Sequence, residues 1–441
     1  MALEAATAMA PIGARPVPAS AGAAPLHDFD PEDLRTDKTL KGRVFAKLLA
    51  EPEWLFALLR RLMPIGKPPL MPQIMVTRYD DVVEVMERDD VFGIPFGFKV
   101  KDLNDGPNFV LGMDDGPDYR RIQGQVMAAF RRDDIERIVA PLAAREAAAI
   151  MAAAPGRIDV VRELFTRVAV RITQDYFGVA IPDESWQDFA AWNMAMTSYM
   201  FADPGDNPAF RRAAIAGAER VGATVDASIA AERAAPSGHD TILARLLVLQ
   251  AKGAPGLTDT VLRSYLIGMM TGFVPTNTVA SANILHVLMR SPDFMAQTRA
   301  AFALGDDARL RRCLLEALRF KTVFWGPYRV CNADYTIANG TKRAKRIRAG
   351  TRLSPIVQSA MRDERRVENP DAFDPDRPPT DSMVFGHGLH WCVGALVAEA
   401  HLMGTFKALL PMRNLRPAPG DEGKRKTLGL IVQHQVVEFD L

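Results

Sequence analysis

Apolar residues recur at helical spacing over most of this chain. Leu40 to Met63 carries them with Trp54, Leu55, Leu58, Leu59 and Leu62 as an inner face, and the pattern stops before Pro64-Ile-Gly-Lys-Pro-Pro. Gln73 to Tyr79 reads as a strand and Tyr79 to Met86 as a helix capped by aspartate. Val91 to Met113 differs. Pro95 and several glycines break it, yet Phe92, Ile94, Phe96, Phe98, Phe109, Val110 and Leu111 make it strongly apolar, which suits a buried loop or a pocket wall. Asp118 to Phe130 starts a helix with basic residues. From Ile135 to about Arg290 the pattern is almost wholly helical, with breaks at Pro155-Gly, Pro182-Asp, Pro204-Gly-Asp, Pro236-Ser-Gly and Pro255-Gly. Inside it, Trp192, Met194, Met196, Tyr199, Met200 and Phe201 form a methionine-rich cluster that reads as core or as an adaptable lid. The stretch from Leu262 to Pro292 is apolar almost all round, the mark of a buried helix.

Composition excludes whole classes of function. With 441 residues, 48% hydrophobic and 24% charged, the chain can bury a large core. A net charge of +1 argues against nucleic acid as the main partner. The three cysteines, Cys313, Cys331 and Cys392, form no CxxC pair and leave an odd one over, which fits a reducing compartment. No apolar run reaches the roughly 18 residues of a membrane span, and the start of the chain lacks a signal-peptide pattern. The expectation is a cytoplasmic protein without a membrane anchor. Residues 1–30, rich in Ala and Pro, read as a flexible leader ahead of a catalytic domain over 31–441.

The densest chemistry lies in Phe385-Gly-His-Gly-Leu-His-Trp-Cys392-Val-Gly394. Three glycines around one cysteine describe a tight loop, and the helix-forming Ala-Leu-Val-Ala-Glu-Ala-His follows it. Cys392 thus sits at a helix N-terminus, where unpaired N–H groups favour a thiolate. Three readings are open on these residues: a thiolate bonded to the metal of a flat cofactor, a buried structural thiol, and a zinc site shared with His387 and His390.

This loop resembles the haem-binding loop of the cytochrome P450 family, Phe-x-x-Gly-x-(Arg or His)-x-Cys-x-Gly, with Phe385, Gly388, His390, Cys392 and Gly394 filling every position. Glu316-Ala-Leu-Arg319 matches the family's Glu-x-x-Arg, and Phe373-Asp-Pro375-Asp-Arg377 its Phe-x-Pro-x-Arg. The resemblance covers about residues 35–441. It implies a mainly α single domain with small β-sheets, a long central helix over haem b, and Cys392 as the axial thiolate. Glu316, Arg319 and Arg377 become a buried cluster that pins the cysteine side. Arg329 and His390 become propionate partners. Tyr119 and Gln123 stand where the family has His and Arg on a propionate, and either can still hydrogen-bond a carboxylate.

The central helix departs from the family pattern (Ala/Gly)-Gly-x-(Asp/Glu)-Thr. Gly272 takes the first position, Phe273 the second, Pro275 replaces the acid, and Thr276 is the retained alcohol. The family's acid and threonine relay protons to oxygen, which proline cannot do. Phe273 is expected to fill the oxygen-binding groove. Two oxidants follow from the resemblance: dioxygen, with electrons from ferredoxin and ferredoxin reductase-type donors, or a peroxide or hydroperoxide, as in a peroxygenase or hydroperoxide isomerase. A non-catalytic haem sensor is the alternative outside enzymes. The expected substrate is a small apolar molecule contacted by Phe92, Phe96, Phe98, Phe109, Met196, Met200, Val323 and Phe324, with Lys99 and Lys101 as anchors for a carboxylate. The run Lys342 to Arg348 reads as the solvated tip of a hairpin.

Overall fold

A computed structural model describes residues 51–69, 71–203, 206–428 and 431–440. The stretch 1–30 read as a leader, and the part of the Leu40–Met63 helix before residue 51, lie outside them. The helices are α1 (Glu53–Leu62), α2 (Tyr79–Glu87), α3 (Gly97–Asn104), α4 (Pro117–Ala129), α5 (Ala140–Ala153), α6 (Arg167–Ile172) and α7 (Trp186–Thr197). They continue with α8 (Pro208–Ala234), α9 (Ile242–Ala251), α10 (Asp259–Arg290), α11 (Pro292–Ala303), α12 (Asp307–Phe320), α13 (Val357–Ala360) and α14 (Ala395–Leu409).

The strands are β1 (Ile65–Gly66), β2 (Ile74–Val76), β3 (Phe92–Gly93), β4 (Arg157–Asp159), β5 (Arg329–Cys331) and β6 (Tyr335–Ile337). After them come β7 (Lys345–Ile347), β8 (Arg352–Pro355), β9 (Arg413–Pro417), β10 (Lys426–Leu428), β11 (Ile431–His434) and β12 (Val436–Asp440). They form a five-stranded sheet in the order β1-β2-β8-β5-β3, a three-stranded sheet β4-β12-β9, and the pairs β6-β7 and β10-β11. This is the mainly α architecture with small sheets that the sequence leads one to expect.

The axis of the molecule is α10, 32 residues long and so roughly 48 Å. Thr258 caps it, its side chain accepting from the Val261 amide at 3.3 Å. Most of its apolar surface is covered because α7, α12, α14 and the irregular helical turns Val160–Thr166 pack around it. A second, smaller core lies under the five-stranded sheet and contains Phe92, Val82, Val85 and Cys331.

Three local expectations change. In α1 the buried residues are Phe56, Leu59 and Arg60, whereas Trp54 is 62% and Leu62 71% exposed, and Leu58 also faces solvent. The sheet side selects the face: Phe56 meets Trp325 edge-on at 5.3 Å, and Arg60 donates to Ser359 O at 3.1 Å. In α2 no neighbouring aspartate serves as cap. Asp363, distant in sequence, accepts from the Tyr79 amide at 3.1 Å instead. The segment 91–113 is more regular than its glycines suggest, holding β3 and the two turns of α3, which ends on Asp105 at φ 53°.

Buried polar groups join distant helices. Asp134 is wholly buried and accepts from Arg245 at 2.9 Å and from the Tyr176 hydroxyl at 2.9 Å. Burial would raise its pKa, but the bonds from Arg245 and Tyr176 outweigh it and hold the carboxyl below its usual range.

His401 of α14 is also fully buried. Its Nε2 bonds Phe165 O at 2.9 Å, so that nitrogen carries the proton, and Nδ1 has no partner. Burial lowers its pKa to about 4 from 6.5. Below pH 6.5 the unfolded chain therefore takes up a proton that the folded one refuses until about pH 4. Stability falls as the pH drops through that window, by on the order of 3 kcal/mol from this group. Urea unfolding of wild type and His401→Gln at pH 7 and pH 4.5 measures it. Wild type is expected to lose more stability than the variant, and equal losses would remove His401 as the cause.

Candidate active site

The loop from Phe385 to Gly394 closes on itself. The Cys392 amide donates to Phe385 O at 2.9 Å and the Trp391 amide to Gly388 O at 3.1 Å. Gly388 has φ +70°, and a Cβ there would stand 2.6 Å from Met86 O of α2. Only glycine lets the loop lie this close to α2. Phe385 meets Trp391 edge-on at 6.3 Å. His387 is drawn away from the sulfur to Glu87, at 2.9 Å, and among the described residues no three His, Cys, Asp or Glu side chains gather as a metal site. The zinc reading has no geometry behind it. The helix end does not make a thiolate unaided: burial pushes the Cys392 thiol up, and the Gly394 amide opposes this only in part. A cation bonded to the sulfur would supply what is missing.

His390 belongs to the loop, and Arg329 of β5 and Tyr119 of α4 stand beside it. Arg329 is 2% exposed; its NH1 donates to Tyr328 O at 3.0 Å and its Nε has no partner. No carboxylate among the described residues forms an ion pair with it. Burial lowers its pKa to about 10, and burial together with the nearby Arg329 lowers that of His390 to about 4. Tyr119 lies 5.3 Å from the His390 ring, but its hydroxyl donates to Leu389 O at 3.0 Å and receives Gln123 at 3.2 Å. With its one proton used, Tyr119 braces the cysteine loop and has no donor left for a propionate. This corrects its expected role.

On α10 every residue from Ser264 to Leu285 is buried except Gly272 and Thr276. These two are four residues apart and share one face. A Cβ on Gly272 would touch only Leu111, at 3.7 Å, so the helix opens to free space there. The Thr276 hydroxyl donates to Gly272 O. Pro275 is buried inside the helix. Phe273 does not fill the groove, contrary to expectation. Its ring points into the core, 5.2 Å from Phe177 and 6.4 Å from His401. One residue's step around a helix is about 100°, which carries Phe273 off the face that Gly272 and Thr276 share.

Glu316 and Arg319 of α12 form a buried two-pronged pair at 2.8 Å on each prong. Arg377 adds a bond to Glu316 at 3.1 Å, and the Asp374 amide another at 3.1 Å. The expected three-residue cluster is present.

The segments packed against α10 here, around Leu111 and in α3 and α7, carry aromatic and thioether side chains. Phe109 packs against Gly268 and lies 5.9 Å from Tyr265, both on α10. Phe96, Phe201 and Phe324 form a chain with centroids 5.5 and 5.2 Å apart. Met196 and Met200 belong to the same core, and Val323 and Phe324 pack against it half-buried. Two expected contacts drop out. Phe92 belongs to the sheet core, edge-on to Tyr335 at 5.4 Å, and Phe98 is 45% exposed on the outer side of α3. Lys99 is no free anchor either. It is buried and bound to Asp206 at 2.9 Å and to Asp203 O at 2.6 Å, while Lys101 is exposed. Thr197 gains a place that no local pattern announces, its hydroxyl donating to Thr271 O of α10 at 2.6 Å.

The sequence model of the Cytochrome P450 family matches residues 71–436. The chain belongs to the cytochrome P450 family. It is 27% identical over 345 residues to the Mycinamicin IV hydroxylase/epoxidase of Micromonospora griseorubida, covering 76% of this chain and 81% of that one. It is 25% identical over 361 residues to the Vitamin D(3) 25-hydroxylase of Pseudonocardia autotrophica, covering 79% and 83%. The fold is that of P450BioI, solved in complex with hexadec-9Z-enoic acid ligated Acyl Carrier Protein (TM-score 0.76, 21% identity, 89% of this chain and all of that one). CalO2 has it too (TM-score 0.74, 22% identity, 90% and 97%).

A cytochrome P450 carries haem b, and this chain is a haem monooxygenase. The residues present fit that group. A soft sulfur stands on a glycine-built loop, and a buried guanidinium without a direct ion pair and with an unpartnered Nε suits a propionate carboxylate. No helix among the described residues is long and apolar enough to cross a membrane.

Proposed function

We propose that this cytochrome P450 inserts one oxygen atom into a small apolar molecule, by hydroxylation or epoxidation, using dioxygen and electrons from separate ferredoxin-type donors. The observation that carries the reading is that between Ser264 and Leu285 only Gly272 and Thr276 escape burial, beside the apolar core of Phe96, Phe109, Met196 and Met200 with Phe324 packed against it, which we take as the substrate's side. Cys392 would ligate the haem iron, with Phe385, Gly388 and Gly394 shaping the loop around the sulfur. Arg329 and His390 would hold the propionates, Arg329 as a cation and His390 as a neutral donor. Haem, when bound, supplies the iron at which oxygen is activated. The apolar lining excludes water and orients substrate by shape rather than by charge. Thr276 places its hydroxyl proton on Gly272 O, so its oxygen presents lone pairs to the open face. It can accept a hydrogen bond there and pass a proton on only by releasing that carbonyl. Three free cysteines, two of them buried, are consistent with a cytoplasmic setting.

A second reading has its own support. The only acid on α10 is Asp259, at its start and roughly four turns from Pro275, so the helix offers no carboxylate beside Thr276. A peroxide brings both oxygens and both electrons, which would avoid donor proteins. Phe273, turned into the core, no longer argues for it. A screen of apolar compounds by Soret shift, followed by product analysis with either NAD(P)H, ferredoxin reductase and ferredoxin or hydrogen peroxide alone, decides between them. We expect the donor chain to give the higher rate. Product formed from hydrogen peroxide alone at an equal or higher rate would overturn the dioxygen reading.

A further inference from the structure

We infer that Thr197 is a positioning residue for the open face of α10: its hydroxyl replaces the amide hydrogen that Pro275 lacks. In an unbroken helix the carbonyl of Thr271 would accept from the N–H of residue 275. Proline has none, and a carbonyl buried there without a donor is unfavourable. Thr197, fully buried at the end of α7, donates to Thr271 O at 2.6 Å. The hydroxyl of Thr271 cannot serve its own carbonyl, because it donates to Ile267 O at 2.8 Å.

The following carbonyls show the same reinforcement. Gly272 O receives Thr276, Phe273 O receives Asn277 at 2.8 Å, and Val274 O receives Thr278 at 3.0 Å. Four consecutive carbonyls around the proline thus each hold a side-chain donor. Three of these donors come from α10 itself. The one at the carbonyl that proline deprives comes from α7. That helix carries Met196, and the turns that follow it, Ser198–Ala202, carry Met200. The bond therefore ties the segment lining the apolar space to the backbone one turn before Thr276. Thr197 touches no reacting atom; it fixes where the Gly272–Thr276 face stands relative to that lining. The inference rests on the proposed function only in taking the space beside Met196 and Met200 as the substrate's, and it holds for either oxidant.

The test is amide hydrogen exchange over residues 272–279 in the haem-loaded protein, with T197V, T197S, P275A and T197V/P275A beside wild type. T197V keeps the shape and removes the donor. Loss of one buried hydrogen bond is expected to speed exchange there roughly ten-fold, and T197S, which keeps the hydroxyl, to restore it. In the P275A background an amide again serves Thr271 O, so adding T197V is expected to change exchange less than two-fold or so. Folded T197V protein recovered only in combination with P275A would support the inference as well. Equal effects of T197V in both backgrounds, no effect in either, or failure to recover both would overturn it. The readout does not depend on the oxidant, so loss of this inference leaves the proposed function standing, and the reverse.

Discussion

Replacing Cys392 with serine is expected to abolish both the thiolate-type absorption of the reduced, carbon monoxide-treated protein and all product formation. The loop does not depend on the sulfur for its shape. The Cys392 amide bonds Phe385 O, and the bend comes from Gly386 and Gly388 at positive φ, which serine at 392 leaves untouched. The change removes the soft, anion-forming ligand and little else, since a hydroxyl is a poor thiolate substitute. Circular dichroism should show an unchanged helical fold. Cys313 and Cys331 provide the contrast. Both are buried in apolar surroundings, burial pushes both thiols up, and Cys331 Sγ donates to Ala333 O at 2.9 Å. A Cys313→Ala/Cys331→Ala double variant should keep the band. Retention of the band by Cys392→Ser, or its loss in the double variant, would move the ligand elsewhere.

What could be read in the sequence was local or strongly spaced chemistry. The glycine-cysteine loop lies within ten residues, Glu316 and Arg319 meet by helical spacing, and α10 shows itself as a run too apolar to face water. What could not be read depended on partners distant along the chain. Trp54, Leu58 and Leu62 form as good a helical stripe as Phe56 and Leu59, and only the sheet beneath α1 chooses between them. Lys99 looks free until Asp203 and Asp206 are brought beside it from about a hundred residues away. A register along α10 assigns Phe273 to a position but not to a side. Phe177 and His401 settle the side, and both belong to other helices. Pro275 announces that the carbonyl of Thr271 needs a donor, yet nothing in the chain near residue 197 says where that donor will come from. The apolar composition of the segment and the family resemblance group Phe92 and Phe98 with Phe96 and Phe109. The short β3 and α3 then send them to the sheet core and to solvent.

Glu316→Ala is expected to cost about 3–5 kcal/mol of stability, a large part of the roughly 5–15 kcal/mol that a folded domain has. One carboxylate there receives two bonds from Arg319, one from Arg377 and one from the Asp374 amide; Glu316 and Arg319 are buried and the Arg377 side chain nearly so. Truncation strands two guanidinium groups away from water, which costs far more than the pair's net attraction gives. The consequence reaches the site. Arg319 also holds Met361 O at 2.9 Å, and Arg377 holds Asn369 O at 2.6 Å and Ala372 O at 2.9 Å, so both arginines order the stretch that leads to the cysteine loop. Glu316→Gln should be nearly as damaging, because the amide turns a donor towards the arginines. Lys for Arg319 should fail too, lacking the fork that grips both oxygens. Asp421 and Lys424 have the same i,i+3 spacing, but both are exposed, and Asp421→Asn should change nothing measurable. Urea unfolding and haem retention on gel filtration, measured side by side, check the set. If Glu316→Ala unfolds at the wild-type midpoint and keeps its haem, the cluster is only a surface-grade ion pair, and the cysteine loop must be held by its own turns and by the contact of Gly388 with α2.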